Sequence, residues 1–163
     1  MVTKNTGLET TLHLKRTFAA PREKVFRAWT DPEELKKWWG PEGFSTPSAQ
    51  IDLRVGGKYR FAMKPPEGEI FYFYGIYREV RAPEKLVFTW NREGPVPTAP
   101  CGATNSTEGG AMDIGETLVT VEFRDFGGST EVVLTHEFFP NEKERDGHNK
   151  GWSGSFDRLA NIL

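Results

Sequence analysis

The chain has 163 residues, with 21 Lys and Arg against 23 Asp and Glu, three His and one Cys. That length suits one domain whose core buries about two-thirds of the unfolded surface without help from a metal or disulfide. A single cysteine, Cys101, excludes an internal disulfide framework and any CxxC zinc or redox site. A net charge of −2 argues against general nucleic-acid or polybasic membrane binding. No apolar run approaches the roughly 18 residues of a membrane span, and the start MVTKNTGLET has no signal-peptide core, so a cytoplasmic location is expected. One number stands out: 13% of the residues are aromatic, with twelve Phe, five Trp and four Tyr.

In chain order, residues 1–9 are expected to be flexible. Thr11 to Phe18 then alternates with period two, placing Leu12, Leu14 and Phe18 on one side of a strand. Pro21 is placed as a first-turn proline, and Val25, Phe26 and Trp29 form the apolar stripe of a short helix. Asp31-Pro32 ends it and caps a second helix from Glu33 to Trp38, which Gly40-Pro41 stops. Tyr59, Phe61 and Met63 alternate with Lys58 and Arg60 in the next strand. From Phe71 to Val80 the run is apolar on both faces at first, which leaves its inward side open. Leu86, Phe88 and Trp90 share a face, as do Val119, Val121 and Phe123, and then Val132, Leu134 and His136. Between these strands, Arg92 to Gly115 holds three Pro and five Gly. It reads as one long loop within the domain, a surface excursion in preference to a lid. After Pro140 and Asn141, the positions Trp152, Phe156, Leu159 and Leu163 repeat at helical spacing, with His148 one turn earlier.

Alternation on one face with short turns, such as Phe126-Gly127-Gly128-Ser129, points to an antiparallel meander. Its apolar face needs a covering layer, and the long element available is the C-terminal helix. The fold class expected is therefore α+β, and a curled sheet gripping one helix leaves a natural small-molecule cavity. Charge divides mildly, +4 over residues 1–60 and −6 over residues 61–163.

Several stretches together resemble the activator of heat-shock protein 90 ATPase-like family, within the START-like (SRPBCC) helix-grip superfamily. They are RTFAAPREKVFRAWTDPEELKKWWGP, IDLRVGGKYRFAM, GIYREVRAPEKLVFTW, TLVTVEF, TEVVLTHEFF and GWSGSFDRLANIL, in the family's order. The resemblance implies a curved antiparallel sheet around a long C-terminal helix, two short helices after the first strand, and a hydrophobic pocket. This branch has no fixed catalytic motif to carry over. The chain departs from the family in its longer 92–115 loop, and no separate N-terminal domain like that of the eukaryotic co-chaperones is expected.

The residues themselves supply candidates. Trp38 and Trp39, adjacent on a helix and about 100° apart, either both plug the sheet end as core or place at most one indole at the cavity, with the plugging reading preferred. His136, on an apolar face, is a general base, a ligand anchor or a core histidine, and His148 can approach it or Tyr59. Glu79 shares parity with Gly75 and Tyr77, so it either enters the cavity or pairs at the surface with Arg78 or Arg81. Arg54 is expected at the rim and Lys36-Lys37 on a solvated face. No HExxH or paired-carboxylate pattern supports a metal. Gly151-Trp152-Ser153-Gly154-Ser155 lacks the last glycine and the strand-to-helix setting of a nucleophile elbow.

The reading reached is a single START-like domain that binds a small hydrophobic, ring-containing molecule without catalysing a reaction. Trp39, Tyr59, Phe61, Phe88, Trp90, Phe123, Trp152 and Phe156 would pack the ligand and His136 would anchor it. No catalytic residue, cofactor or metal is assigned, and a monomer or homodimer without nucleic acid or membrane is expected. Two alternatives stand beside it. One is a cyclase- or dehydratase-like enzyme using His136 or Glu79, and the other is a partner module that stimulates a chaperone ATPase.

Overall fold

The computed structural model describes residues 11–40, 43–93 and 116–163. Seven strands form one antiparallel sheet. They are β1 (Leu12–Phe18), β2 (Ala49–Ile51), β3 (Lys58–Met63), β4 (Phe71–Arg81), β5 (Lys85–Glu93), β6 (Thr117–Phe126) and β7 (Ser129–Glu137). Between β1 and β2 come α1 (Arg22–Thr30) and α2 (Pro32–Leu35), and the chain closes with α3 (Glu142–Ile162). The sheet order is β1-β7-β6-β5-β4-β3-β2, so β2 to β7 run as a meander and β1 returns beside β7. This is the curved sheet, long terminal helix and paired short helices of the helix-grip fold.

Period two is visible in burial: Thr130, Val132, Leu134 and His136 are buried along β7, as are Thr117, Val119, Val121 and Phe123 along β6. In β4 the open question of parity is settled by Phe71, Phe73 and Tyr77, which face the core. The register slips between Tyr77 and Glu79. Beyond that bulge Val80 packs against the core, while Glu79 pairs with Arg81 and Lys85 at the surface. Glu79 therefore does not enter the interior. Gly75 is required where it stands: a Cβ there would lie 2.0 Å from the Thr89 carbonyl oxygen of β5. Tyr59 lies opposite Gly75 in the ladder and donates its hydroxyl to that same carbonyl at 2.5 Å.

Three boundaries differ from the sequence expectation. Pro21 is the N-cap of α1, one residue before the first turn. The second helix spans only Pro32–Leu35, with Asp31 accepting from the Glu33 backbone N–H, and Lys36 to Trp38 follow as a turn. Arg92 and Glu93 belong to β5, so the loop begins later than expected. Arg92 is buried because α3 supplies a partner, Glu144, with Nη1 3.4 Å from Oε1. The rest of the 92–115 stretch, residues 94–115 with Cys101, and the first ten residues lie outside the described residues.

The helix α3 starts at Asn141, whose side chain accepts from the Glu144 N–H. Its buried positions Glu144, His148, Gly151, Trp152, Ser155, Phe156 and Leu159 form the single stripe that faces the sheet. Phe138, before it, takes a left-handed φ of 75° and is exposed, which turns the next ring, Phe139, inward against His136 and His148.

Candidate functional site

The seam between sheet and helix is filled with rings. Trp29 of α1 stacks on Trp152 of α3 with centroids 5.8 Å apart, and Trp39 meets Phe61 at 4.8 Å and Trp152 at 5.2 Å. Trp90 of β5 stacks on Phe73 at 4.4 Å. Stacked and edge-to-face ring pairs add about 0.5–1.5 kcal/mol each beyond the area they bury.

Small voids lie among the described residues at this seam. One, about 20 Å³ as measured by a water-sized sphere, lies between Trp39, Gly40, Met63, Phe73, Trp90, His148, Gly151, Trp152 and Ser155. A space of that size holds about one water. Another, about 10 Å³, lies between Trp29, Leu35, Trp39, Tyr59, Phe61, Tyr77, Leu86 and Phe88. Both are walled almost wholly by apolar side chains.

The sequence candidates separate into groups. Trp39, Trp90 and Trp152 surround the first void; Tyr59, Phe61 and Phe88, with Trp39 again, surround the second. Phe123 and Phe156 pack behind Trp29 instead, at 6.0 and 6.1 Å, and line neither void. Trp38 is fully buried and donates its indole N–H to the Ala28 carbonyl, so it is the plug and Trp39 the lining residue. Met63, Phe73, Gly40, Gly151 and Ser155 were not among the candidates. Met63 carried a signal, its parity with Tyr59 and Phe61, whereas the two glycines have no side chain to reveal them.

His136 and His148 are brought together, with ring centroids 5.2 Å apart and both rings buried. An indole N–H only donates, and this fixes both tautomers. Trp90 Nε1 donates to His148 Nε2 at 3.2 Å, so His148 carries its proton on Nδ1 and donates it to the Glu144 carbonyl at 2.9 Å. Trp152 Nε1 donates to His136 Nδ1 at 3.2 Å, so His136 Nε2–H donates to Thr117 Oγ1 at 2.8 Å. Thr117 passes its own proton to the Trp90 carbonyl at 3.1 Å. Every ring nitrogen thus has a protein partner, and a second proton on either imidazole would break an indole hydrogen bond.

The electrostatics agree. Burial, reinforced by the Arg92 guanidinium, lowers the His148 pKa to about 3 against a weaker opposing pull from the Glu144 carbonyl. Burial, then the neighbouring His148, holds His136 well below its ordinary value. His148 is therefore neutral, and its 3.8 Å approach to the Glu144 carboxylate is not an ion pair. Burial also raises the phenols of Tyr59 and Tyr77, which stay protonated.

The segment that roofs the first void is tied to α3. Gly40 donates its N–H to Ser155 Oγ at 3.0 Å, and Arg158 Nη1 donates to the carbonyls of Trp39, Gly40 and Phe44 at 3.2, 2.9 and 3.1 Å. Neither Ser155 nor Arg158 stood out in the sequence, since serine and arginine on a helix are ordinarily solvent-facing. A larger concavity, about 560 Å³, lies on the outer face of β3 to β5 between Lys58, Arg60, Tyr74, Asn91, Glu93 and Glu116. Its polar groups engage one another, Arg60 with Glu93 and Asn91 with the Tyr74 carbonyl. Among the described residues, no three His, Cys, Asp or Glu side chains converge as a metal site, and no helix is long and apolar enough to cross a membrane.

A seven-stranded sheet closed on one long helix around an apolar seam defines a START-like helix-grip protein. The family model described as Activator of Hsp90 ATPase homolog 1-like protein matches residues 19–163, and the chain belongs to that family. Solved bacterial structures share the fold. The AHSA1 protein of Silicibacter pomeroyi is 26% identical with a TM-score of 0.76, over 94% of this chain and 96% of that one. A protein from Chromobacterium violaceum is 26% identical with a TM-score of 0.75, again over 94% and 96%. One from Nitrosomonas europaea is 26% identical with a TM-score of 0.73, over 95% of this chain and 94% of that one. None of the curated proteins matches the chain.

Proposed function

We propose that the protein binds a small, apolar, ring-containing molecule at the seam between the sheet and α3, without catalysing its conversion. The observation that supports this reading is the void between Trp39, Met63, Phe73, Trp90 and Trp152, a small apolar-walled space at the seam between the sheet and α3. The absence of a catalytic role is argued from the histidines: both are neutral, and each ring nitrogen already serves a protein partner. A ring-sized guest exceeds the resting space of about 20 Å³, so binding entails side-chain movement.

The test is displacement of a bound anilinonaphthalene dye by a panel of ring compounds, with complexes verified by native mass spectrometry. Binding in the low-micromolar range is expected, and Gly151→Leu, which places a side chain on the void wall, should weaken it at least about tenfold. Failure of every ring compound to bind, or binding indifferent to Gly151→Leu, refutes the reading.

The family description favours a second reading, a module that stimulates a chaperone ATPase. An ATPase assay of the host's Hsp90-type chaperone with and without the protein separates the two, because ligand binding predicts no change in that rate.

A further inference from the structure

Four of the five tryptophans are held in place by more than packing or lie away from the first void. Trp38, Trp90 and Trp152 each donate the indole N–H to a protein acceptor, so turning any of them breaks a hydrogen bond. Trp29 and Trp39 bury their N–H without an acceptor among the described residues. Trp29 is stacked on Trp152 and reaches only the second void. Trp39 is different: among the described residues it alone lines both voids, standing between them. Its backbone is anchored, with the carbonyl accepting from Thr46 Oγ1 at 3.2 Å and from Arg158. Its ring packs against those of Trp29, Trp38, Phe61, Trp90 and Trp152. A side-chain rotation of Trp39 therefore breaks no indole hydrogen bond, and its ring is the wall the two spaces share.

We propose that Trp39 is a swinging partition, and that the molecule it admits is a planar apolar ring bearing one hydrogen-bond acceptor that takes the Trp39 Nε1–H. This rests on the ligand-binding reading above and adds to it a gate and a ligand chemistry. The acceptor requirement follows from the orphan donor: a buried N–H left unpaired is costly, and a guest that pairs it recovers that cost, whereas a pure hydrocarbon does not. The imidazole beside the first void is already engaged on both nitrogens, since His148 accepts from Trp90 and donates to the Glu144 carbonyl, and Ser155 Oγ accepts from the Gly40 N–H.

The probes are 1-indanone and indane, two bicyclic molecules of nearly equal shape that differ by one carbonyl. The measurement is titration of the ¹⁵N-labelled full chain, following the five indole N–H signals assigned through single Trp→Phe variants. Indanone is expected to move the Trp39 signal downfield and to bind about 3- to 10-fold more tightly than indane. Trp39→Phe is expected to abolish that preference while indane still binds. Equal affinity for the two probes, or a downfield shift borne by Trp29 instead, overturns the partition and leaves the ligand-binding reading intact. Failure of both probes to bind overturns both. Should Trp39→Phe not fold, the wild-type shift and affinity ratio decide the matter alone.

Discussion

Lowering the pH from 7.5 to 5.0 should destabilise this protein through His148, and the size of the effect can be worked out. An unfolded histidine titrates near 6.5, whereas burial and Arg92 hold native His148 at about 3. Above pH 6.5 both states carry a neutral ring and the shift contributes nothing to the pH dependence. Below it the unfolded chain takes up a proton that the native state refuses, so stability falls with a limiting slope of about 1.4 kcal/mol per pH unit and levels off near pH 3. At pH 5.0 the loss is about 2 kcal/mol for His148 alone. His136, lowered in the same direction by burial and by His148, adds to it. The assay is urea unfolding at pH 7.5, 6.0 and 5.0, comparing wild type with His148→Gln. Glutamine can still accept from the Trp90 indole and donate to the Glu144 carbonyl, yet it does not titrate in this range. The wild type should lose stability between pH 7.5 and 5.0 by about 2 kcal/mol more than the variant. Equal pH dependence in the two proteins would refute the assignment of a neutral, locked His148.

Four further outcomes follow from particular contacts. Arg92→Met strips the buried Glu144 carboxylate of its ion-pair partner and should cost about 3–5 kcal/mol in urea unfolding, while Arg92→Met combined with Glu144→Gln recovers part of that loss. Arg16→Ala removes a pair with Asp157 that is largely solvated, and should change stability by less than about 1 kcal/mol in the same assay. Gly75→Ala drives a Cβ into the Thr89 carbonyl and should destabilise by about 2–4 kcal/mol, whereas Gly56→Ala, with no atom in the way, meets only the strain of its φ of 86°. Arg158→Met removes the Nη1 donor on which the carbonyls of Trp39, Gly40 and Phe44 converge, so amide exchange at Gly40 and Phe44 should quicken while the core strands stay protected.

The elements legible in the sequence were those whose pattern is local. Period two placed β3, β6 and β7, and the Trp152, Phe156, Leu159 spacing placed the buried stripe of α3, because each needs only that one face be apolar. The first turn of β4 was opaque for the opposite reason: Tyr72 and Tyr74 on its outer side are as aromatic as Phe71 and Phe73 on its inner side. The bulge after Tyr77 then reversed the parity that Glu79 was judged by. Arg92 looked like the first residue of a loop because a charged residue before Gly and Pro ordinarily is one. Its burial depends on Glu144, 52 positions away on another element.

The candidate site shows the same division. The aromatic excess and its distribution on inward faces follow from the order of residues alone, as does the family to which stretches across the chain point. Whether those rings enclose an open chamber was decided only when the sheet closed on α3. The closure left spaces of about 20 and 10 Å³, because rings from the sheet, from α1 and α3, and from the segment after α2 interlock at the seam. Which indole N–H groups find acceptors was settled there too. Trp90 and Trp152 meet the two histidines, and Trp39 meets no acceptor among the described residues. A hydrogen bond between distant segments is set by three-dimensional approach to within a few tenths of an ångström, and no periodicity in the chain encodes that distance.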